Sequence, residues 1–460
     1  MCLSKFIHFL LPILVVCGVT LLSSCSIIPE GNYTALAEQE RQLSTAWPEQ
    51  KGAQETTSLR ELISAPQLNE LIDEALQANP SLQQTILTLQ ILRAQRRQTT
   101  ADRLPNAEFV ASAEKEDEED ESFSGTFTIS WEADLWQKLA DSESAAQMDE
   151  AEQLALLQAG RASLTAEVMQ EWLGLIGDKH TINIEQLRLA NLEKNELYIL
   201  QRYRSGIGSL EDLDSARSST SVSRASLEEY EESLAQRQRT LKTILGRVGT
   251  AERNADIVVT ESYPSVIIPL ADLPDQTLKQ RPDLQAAYFA IEADDLRTSV
   301  AYKDLLPSIS LEAALEDIGD SPQSMLLSDP VWALLGQLTA PIFQGGKLRS
   351  AAEIAELETA QSYEAYREAL LEAIGEVENG LSLERSISRR QEYITAALAS
   401  ARNSLARYEE SYRAGLVDIL DLLVVQEKTF DLASQRDNLI YERLVNRIDL
   451  GLALGLGVEK

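Results

Sequence analysis

Cysteine and histidine are nearly absent from this chain. It has three cysteines, Cys2, Cys17 and Cys25, and two histidines, His8 and His180. Because four of these five residues lie in the first 25 positions, the rest of the chain cannot form an internal disulfide. It also cannot build a histidine-based catalytic triad or a multi-histidine metal site within one subunit.

Basic residues and long apolar runs are also scarce. The chain has 41 lysines and arginines against 73 aspartates and glutamates, a net charge of -32, which argues against nucleic acid as a partner. Beyond residue 24, no apolar run reaches the roughly 18 residues that a membrane helix needs. If the chain crosses a membrane, we expect it to do so as strands.

Proline is missing from two long stretches, residues 106–263 and 342–460. Because proline breaks helices, both stretches are open to long helices, and small or apolar residues recur there at steps of three and four. These residues are Ala145, Met148, Ala151, Ala155, Ala159, Ala162, Ala166, Met169 and Leu173 in the first stretch, and Ala360, Tyr363, Tyr366, Leu370, Ala373 and Val377 in the second. A helix over 140–200 would extend about 90 Å, so we expect neighbours along its whole length. A plain helical rod or bundle is the alternative interpretation.

The first 25 residues have the layout of a secretory signal, with Lys5 followed by an apolar stretch and small residues. The end of this segment, "LSSC", resembles the lipobox of bacterial lipoproteins, in which cleavage leaves a lipid-modified cysteine at the N-terminus. We therefore expect a signal peptide over 1–24, lipidation of Cys25 and, because Ser26 follows, sorting to the outer membrane. An ordinary signal peptide with a chance cysteine is the alternative.

Ahead of each long helical stretch the hydrophobic period changes from about 3.6 to 2, which predicts strands. The predicted strands lie in "NAEFVASA", "FSGTFTISWEADL", "PSISLEAAL" and "VWALLGQLTAPIF". The first of these is the weakest candidate. The apolar faces of the other three are, in order, Phe123, Gly125, Phe127, Ile129 and Trp131; Ile309, Leu311, Ala313 and Leu315; and Trp332, Leu334, Gly336, Leu338 and Ala340.

Four such strands fit the weak signature of a transmembrane barrel but cannot close one. Open strand edges are not viable in lipid, so a membrane interpretation requires several chains to share one barrel. Two soluble hairpins packed on a helical core are the alternative. Between the first two strands, the acidic run at 114–121 is expected to be a solvated loop. Cation binding there is the weaker alternative, because nothing in the sequence fixes a coordination geometry.

The two halves of the chain repeat each other. "NPSLQ" at 79 matches "RPDLQ" at 281, an offset of 202, and the tyrosines of "YRSG" and "YRAG" at 203 and 412 have an offset of 209. Because the matches keep their order while the offset only grows, we infer a duplicated unit.

The repeated motifs resemble the outer membrane factor family of efflux systems, the TolC-like channels, and in particular its lipoprotein branch. The resemblance covers about residues 60–455 and rests on "NPSLQ", "RPDLQAA", "LLPSISL", "SWEADLW", "PIFQGGKLRSA", "EVENGL" and the two "Y-R-x-G" turns. Each motif is weak by itself, and together they are specific.

This resemblance implies an α+β membrane protein, with a long α-helical periplasmic barrel and a transmembrane β-barrel shared by three chains. It implies a homotrimer in outer membrane lipid that exports small molecules passed on by an inner-membrane pump, of the RND type, through a periplasmic adaptor. No nucleic acid and no cofactor are expected.

The expected divisions are a lipidated extension over 25–65, a first repeat over 66–262 and a second over 263–455. The first contains strands at about 106–113 and 122–135 and long helices at about 138–203 and 209–247. The second contains strands at about 307–315 and 329–343 and long helices at about 347–412 and 417–450.

In the family, the turns between the long helices are periplasmic tips that bind the adaptor and close the pore. The adaptor-contact candidates carried over are Arg204, Gly206, Arg413 and Gly415, and the gate candidates are Tyr412, Asp418, Leu420, Asp421, Tyr203 and Asp212. A helix cap or dipole partner is the alternative role for Asp212 and Asp421. Many relatives have "LLDAQR" at the end of the second tip, where this chain has "LLVVQEK", so their gate pairing does not transfer to Val424 and Glu427.

No enzyme is predicted. "FQGGKL" lacks the spacing of a Walker motif, and His180 is expected to be a surface residue near a helix irregularity. Two rival functions stay open at this point: the same channel serving type I protein secretion, and a lipid-anchored helical periplasmic scaffold without a pore.

Overall fold

The structure is a computed structural model that describes residues 32–42, 47, 52–115, 121–247, 256–271, 274–322 and 329–458. The predicted signal segment, Cys25 and residues 116–120 of the acidic run lie outside the described residues. No helix in the described ranges is both long enough and apolar enough to cross a membrane.

The elements follow in the order α1 (Tyr33–Gln42), a 3-10 turn (Leu59–Leu62), α2 (Pro66–Ala78), α3 (Pro80–Ala101), β1 (Asn106–Glu114), β2 (Ser122–Glu132), α4 (Lys138–Arg204), α5 (Leu210–Ile244), α6 (Pro274–Gln280), α7 (Pro282–Lys303), β3 (Ser308–Gly319), β4 (Val331–Thr339), α8 (Lys347–Arg413) and α9 (Ile419–Ala453). The two long helices α4 and α8 have 67 residues each, and the helices that follow them, α5 and α9, have 35 each.

Local chemistry sets where the helices begin. Proline is the first residue of α2, α3 and α7, where its missing N–H costs no hydrogen bond. The start of α4 is capped by Asp134, whose carboxylate accepts from the main-chain N–H of Leu139 at 3.1 Å and of Ala140 at 2.9 Å. Before α8, Gly345 and Gly346 take φ values of 61° and 89°, which turn the chain from strand into helix.

The first compact unit contains the sheet and is formed by Ile91–Ala151 and Ala287–Tyr366, together with residues of α1 up to Gln39. Its four strands are antiparallel in the order β1-β2-β3-β4. The register aligns Phe109 with Phe127, Phe127 with Leu315 and Leu315 with Trp332. Because side chains alternate between faces, this register puts the aromatic residues and most of the other large apolar residues of the four strands on one face of the sheet.

The second compact unit is formed by Glu40–Gln90, Glu152–Ala286 and Arg367–Lys460. Its main core packs the middle of α4 against α2, the 3-10 turn, the end of α5 and the segment that follows α5. Trp172, Leu173, Leu175 and Ile176 are all almost fully buried in this core. The small and apolar residues that recur at steps of three and four along α4 are therefore buried in this unit. Examples are Ala162, Ala166, Met169 and Leu173.

Candidate functional site

The first helix tip joins α4 to α5 through a left-handed glycine. Gly206 has a φ of 73° and donates its N–H to the carbonyl of Tyr203 at 3.0 Å, while the N–H of Ile207 reaches the carbonyl of Arg202 at 3.0 Å. These bonds satisfy the last carbonyls of α4, as in a Schellman ending. The next helix is started by a capping box, in which Ser209 Oγ accepts from Asp212 N at 3.0 Å and Asp212 Oδ2 accepts from Ser209 N at 3.4 Å.

The second tip, between α8 and α9, repeats this construction with one change. Gly415 has a φ of 72° and donates to the carbonyl of Tyr412 at 3.0 Å, and Leu416 N–H donates to the carbonyl of Ser411 at 2.8 Å. The helix cap is Asp418, whose carboxylate accepts from the N–H of Ile419. A carboxylate therefore stands where the first tip has the hydroxyl of Ser209.

Each glycine turn exposes one large apolar side chain. Ile207 is 72% exposed and Leu416 is 77% exposed. Each follows its positive-φ glycine directly, so the two side chains occupy equivalent places in the two turns. Sequence reasoning singled out the glycines and missed these neighbours, although an apolar residue between turn residues was a visible signal.

A small apolar cluster holds the helices together just behind the tips. It consists of Ile199, Leu213, Ala216, Ile419 and Leu422. Tyr412 is partly buried against this cluster, whereas Tyr203 is 41% exposed. The two tyrosines thus match in sequence but differ in environment.

The other candidates occupy positions at the tip surfaces. Asp418, Leu420 and Asp421 are exposed, and Asp212 is half-buried in its capping box. Within the described residues, no side-chain hydrogen bond or ion pair joins Tyr203 or Asp212 to the second tip. Arg204 and Arg413 are exposed as well, and Arg413 approaches only Glu409, at 4.0 Å. Val424 and Glu427 also face outward.

A buried polar layer lies farther from the tips and was not predicted. Asn195 Nδ2 donates to Gln426 Oε1 at 2.8 Å, and Ser223 Oγ donates to Glu185 Oε1 at 2.5 Å. These two bonds join α4 to α9 and to α5, while the buried hydroxyl of Thr220 donates to the carbonyl of Ala216 within α5. The signal was present in "SARSSTSVSRAS", where Ala216, Thr220 and Ser223 recur at helical spacing.

The prediction that His180 is a surface residue near a helix irregularity was wrong. Helix α4 runs through this position without a break, and the His180 side chain is 24% exposed. Nδ1 lies 2.9 Å from Asp437 Oδ1, and Nε2 lies 2.6 Å from the main-chain oxygen of Glu261. The ring also packs edge-on against Tyr263. Partners distant in sequence created this environment, so no local pattern indicated it.

The sheet presents an apolar face and an acidic face. On β4, Trp332, Leu334 and Leu338 are exposed members of the apolar face. The opposite face carries five glutamates on β1, β2 and β3, and the four strands contain no lysine or arginine. These glutamates are Glu108, Glu114, Glu132, Glu312 and Glu316. Among the described residues, β1 and β4 are each paired on one side only, so both outer edges are open.

Within the described ranges, no group of three or more histidine, cysteine, aspartate or glutamate side chains is placed to hold a metal ion. The arrangement at the tips and on the sheet is one of caps, exposed apolar side chains and charge.

Comparisons with known proteins agree with this arrangement. The family model described as "Outer membrane efflux protein" matches residues 71–247 and 273–456, more than half of the chain. The chain is 29% identical over 411 residues to the cation efflux system protein CusC of Escherichia coli O6:H1, covering 86% of this chain and 87% of CusC. It is 28% identical over 416 residues to the "Probable outer membrane lipoprotein SilC" of Salmonella typhimurium, covering 87% of this chain and 88% of SilC.

A solved structure of CusC matches the fold with a TM-score of 0.76 at 25% identity, and the match covers 89% of this chain and 96% of that chain. The family match and the structural match each cover most of the chain. The chain belongs to the outer membrane efflux protein family and is an outer membrane channel of an efflux system.

Proposed function

We propose that three copies of this chain form one channel, which exports solutes delivered by an inner-membrane pump of the RND type through a periplasmic adaptor. The observation that carries this proposal is the sheet. Four strands with one continuous apolar face and two open edges cannot stand alone in lipid.

A sheet shared between copies has no open edges and can present its apolar face to lipid. When β4 of one copy pairs with β1 of the next, three copies give a closed barrel of about twelve strands, within the range known for outer membrane barrels. The apolar face then contacts lipid and the glutamate face lines the lumen. The long helices α4, α5, α8 and α9 extend the passage into the periplasm.

The same proposal gives the tips two roles. Arg204, Gly206, Arg413 and Gly415 form turns that contact the adaptor. The exposed side chains of Ile207 and Leu416 add an apolar contact at each turn, where burial of a side chain of this size favours association by about 2 kcal/mol. Tyr203 and Asp212 of the first tip, and Tyr412, Asp418, Leu420 and Asp421 of the second, narrow the periplasmic opening.

We further propose that the chain carries lipid on Cys25, which anchors it in the outer membrane. The lipid adds a membrane attachment to that of the barrel and does not replace it. Radiolabelled palmitate should be incorporated into the wild-type protein and not into the Cys25→Ala variant. Incorporation into both proteins would exclude Cys25 as the acceptor.

The exported solutes are cations. Each copy contributes Glu108, Glu114, Glu132, Glu312 and Glu316 to the lumen, and the strands contribute no positive charge. Rings of carboxylates at successive heights concentrate cations and repel anions. CusC, the relative with 29% identity, is named as a cation efflux protein.

The central experiment is purification from outer membranes followed by recording in a planar bilayer. We expect a trimer that is stable in detergent and conducts ions with a preference for cations. A protein that urea extracts as a monomer without conductance would contradict the channel. Exchanging Glu312 and Glu316 for glutamine should shift the reversal potential toward less cation preference, whereas Glu231→Gln, on α5, serves as the control and should leave it unchanged.

A further inference from the structure

A groove in the second compact unit is lined by basic side chains from three helices. Lys179 and His180 come from α4, Arg402 from α8 and Arg436 from α9, and Asn183 lies one turn after Lys179. The cavity has a volume of ≈ 590 Å³. In a chain with a net charge of -32, such a convergence of cations is unusual.

Three of these basic side chains have no partner within the part of the chain that the structure describes. Lys179, Arg402 and Arg436 make no side-chain hydrogen bond or ion pair there. The Nε atom of Arg436 is buried without an acceptor. Guanidinium groups are normally satisfied by carboxylates, and this chain has many. Like charges held close together also repel each other, so their convergence opposes folding unless an anion joins them.

Two acidic residues, Asp437 and Glu261, also line the groove. Both carboxylate oxygens of Asp437 are engaged, Oδ1 with His180 Nδ1 at 2.9 Å and Oδ2 with the hydroxyl of Tyr263 at 3.2 Å. The main-chain oxygen of Glu261 lies 2.6 Å from the other ring nitrogen of His180. His180 therefore forms part of the groove wall and contacts both acidic residues. Among the described residues, neither Asp437 nor Glu261 makes a hydrogen bond or ion pair with Lys179, Arg402 or Arg436.

We propose that this groove binds a small soluble oxyanion with two or more negative charges, of the phosphate or polycarboxylate class. Arg402 and Arg436 provide planar N–H pairs that match the oxygens of such groups, Lys179 adds a point charge, and the Asn183 amide adds a neutral donor. The groove residues are not part of either helix tip, and the proposed anion is distinct from the transported solute.

The test uses the full-length protein in detergent and titration calorimetry at constant ionic strength in chloride. Inorganic pyrophosphate and citrate are the two probes, and tighter binding of one assigns the phosphate or the carboxylate class. We expect saturable binding that the double variant Arg402→Gln, Arg436→Gln weakens by at least about tenfold, since hydrogen bonds to charged groups are lost. Lys179→Gln, an independent variant, should weaken binding in the same direction.

The matched control is Arg389→Gln. Arg389 is exposed, lies on α8 like Arg402, and has no partner among the described residues. Its replacement removes the same charge outside the groove and should leave binding unchanged. Circular dichroism and bilayer conductance confirm that each variant is folded. The proposal is overturned if neither probe binds saturably to the wild-type protein, if folded groove variants bind as tightly as it does, or if Arg389→Gln weakens binding equally.

Discussion

The guanidinium of Arg281 donates from Nη1 to the main-chain oxygen of Ala453, at 3.0 Å, and so fastens the start of α7 to the end of α9. At the equivalent place in the first half, Asn79 donates from Nδ2 to the main-chain oxygen of Ile244 at 2.9 Å. A left-handed glycine follows each acceptor by two residues, Gly246 in the first half and Gly455 in the second. The same junction is thus built twice with different donors.

Replacement of Arg281 by alanine is expected to destabilise the protein by about 3 kcal/mol, because the buried guanidinium also pairs with Asp283 at 2.6 Å and Glu376 at 2.7 Å. Asn79→Ala, which removes a neutral donor, should cost about 1 kcal/mol. Denaturant unfolding of the two variants provides the comparison. Equal losses would show that the ion pairs of Arg281 contribute nothing beyond the shared hydrogen bond.

The same junction predicts a sensitivity to acid. Although burial alone would raise it, the pKa of Asp283 lies below its ordinary value because the Arg281 guanidinium hydrogen-bonds and attracts the carboxylate. A lowered pKa means that the folded state favours the charged form. The stabilisation is therefore complete above the unfolded-state pKa of about 4 and is lost as the pH falls through the folded-state pKa.

The measurement is the midpoint of thermal unfolding of wild-type and Asp283→Asn protein between neutral and strongly acidic pH. The wild type should be the more stable protein at neutral pH, and the difference between the two should shrink below about pH 4. A difference that stays constant down to pH values well below that point would contradict the assignment.

Replacement of Gly415 by alanine is expected to destabilise the second tip by about 1 kcal/mol, since an L-residue is strained at positive φ. The space around Gly415 is open, so the effect comes from the backbone alone. Gly375→Ala is the matched control, because Gly375 lies inside α8, where an added Cβ also meets nothing within 4 Å. The control should stabilise by up to about 1 kcal/mol, and opposite signs in unfolding experiments are the expected result.

Adjacent residues on β4 separate the lipid face from the lumen. Leu334 lies on the apolar face with Ala313, and Leu335 lies on the opposite face with Glu312. Leu334→Asp should reduce membrane assembly, because a charge on the lipid face is destabilising near the membrane centre, although aspartate costs less than the about 2–4 kcal/mol of lysine or arginine. Leu335→Asp should assemble normally. The amount of heat-resistant trimer on gels of unboiled samples measures the assembly of each variant. Equal amounts of trimer from the two variants would contradict the assignment of the faces.

Charge at the second tip is testable without damage to its fold. Asp418 caps α9, and asparagine caps a helix as well as aspartate does, so Asp418→Asn removes the charge and retains the cap. Combined with Asp421→Asn, it should lower the cation preference of the conductance or raise its magnitude. Asp214→Asn, an exposed aspartate on α5 beside the first tip, is the control. Unchanged conductance in the double variant would exclude both aspartates from the opening.

The strands of the sheet could be predicted in large part from the alternation of apolar and polar residues. Alternation from Phe123 to Trp131 and from Ile309 to Leu315 predicted which residues share a face within each strand, because the pleat has a period of two. The same reasoning could not align the strands with each other. A shift of one residue in the register between two strands would have exchanged the faces of one of them. The pairing of Phe127 with Leu315 is known only from the tertiary structure.

At the helix tips, too, some features could be predicted from the sequence and others could not. Gly206 and Gly415 were recognisable as turn residues, because few other residues adopt their φ values. The different environments of Tyr203 and Tyr412 were not recognisable, because they depend on which side chains pack behind each tip. The interpretation of Asp212 as a cap agrees with its place in the capping box, since that pattern is local.

By itself, the sequence determined the elements and their order: long proline-free helices, alternating strands, two glycine turns and a duplicated plan. These features depend on backbone sterics and side-chain period, which act over a few residues. Only the tertiary structure decided that His180 contacts Asp437 and that Lys179, Arg402 and Arg436 line one groove. It also decided that Asn79 and Arg281 each donate a hydrogen bond to the last residue of a long helix. Those contacts join residues far apart in the chain, so only the packing of whole helices could bring them together.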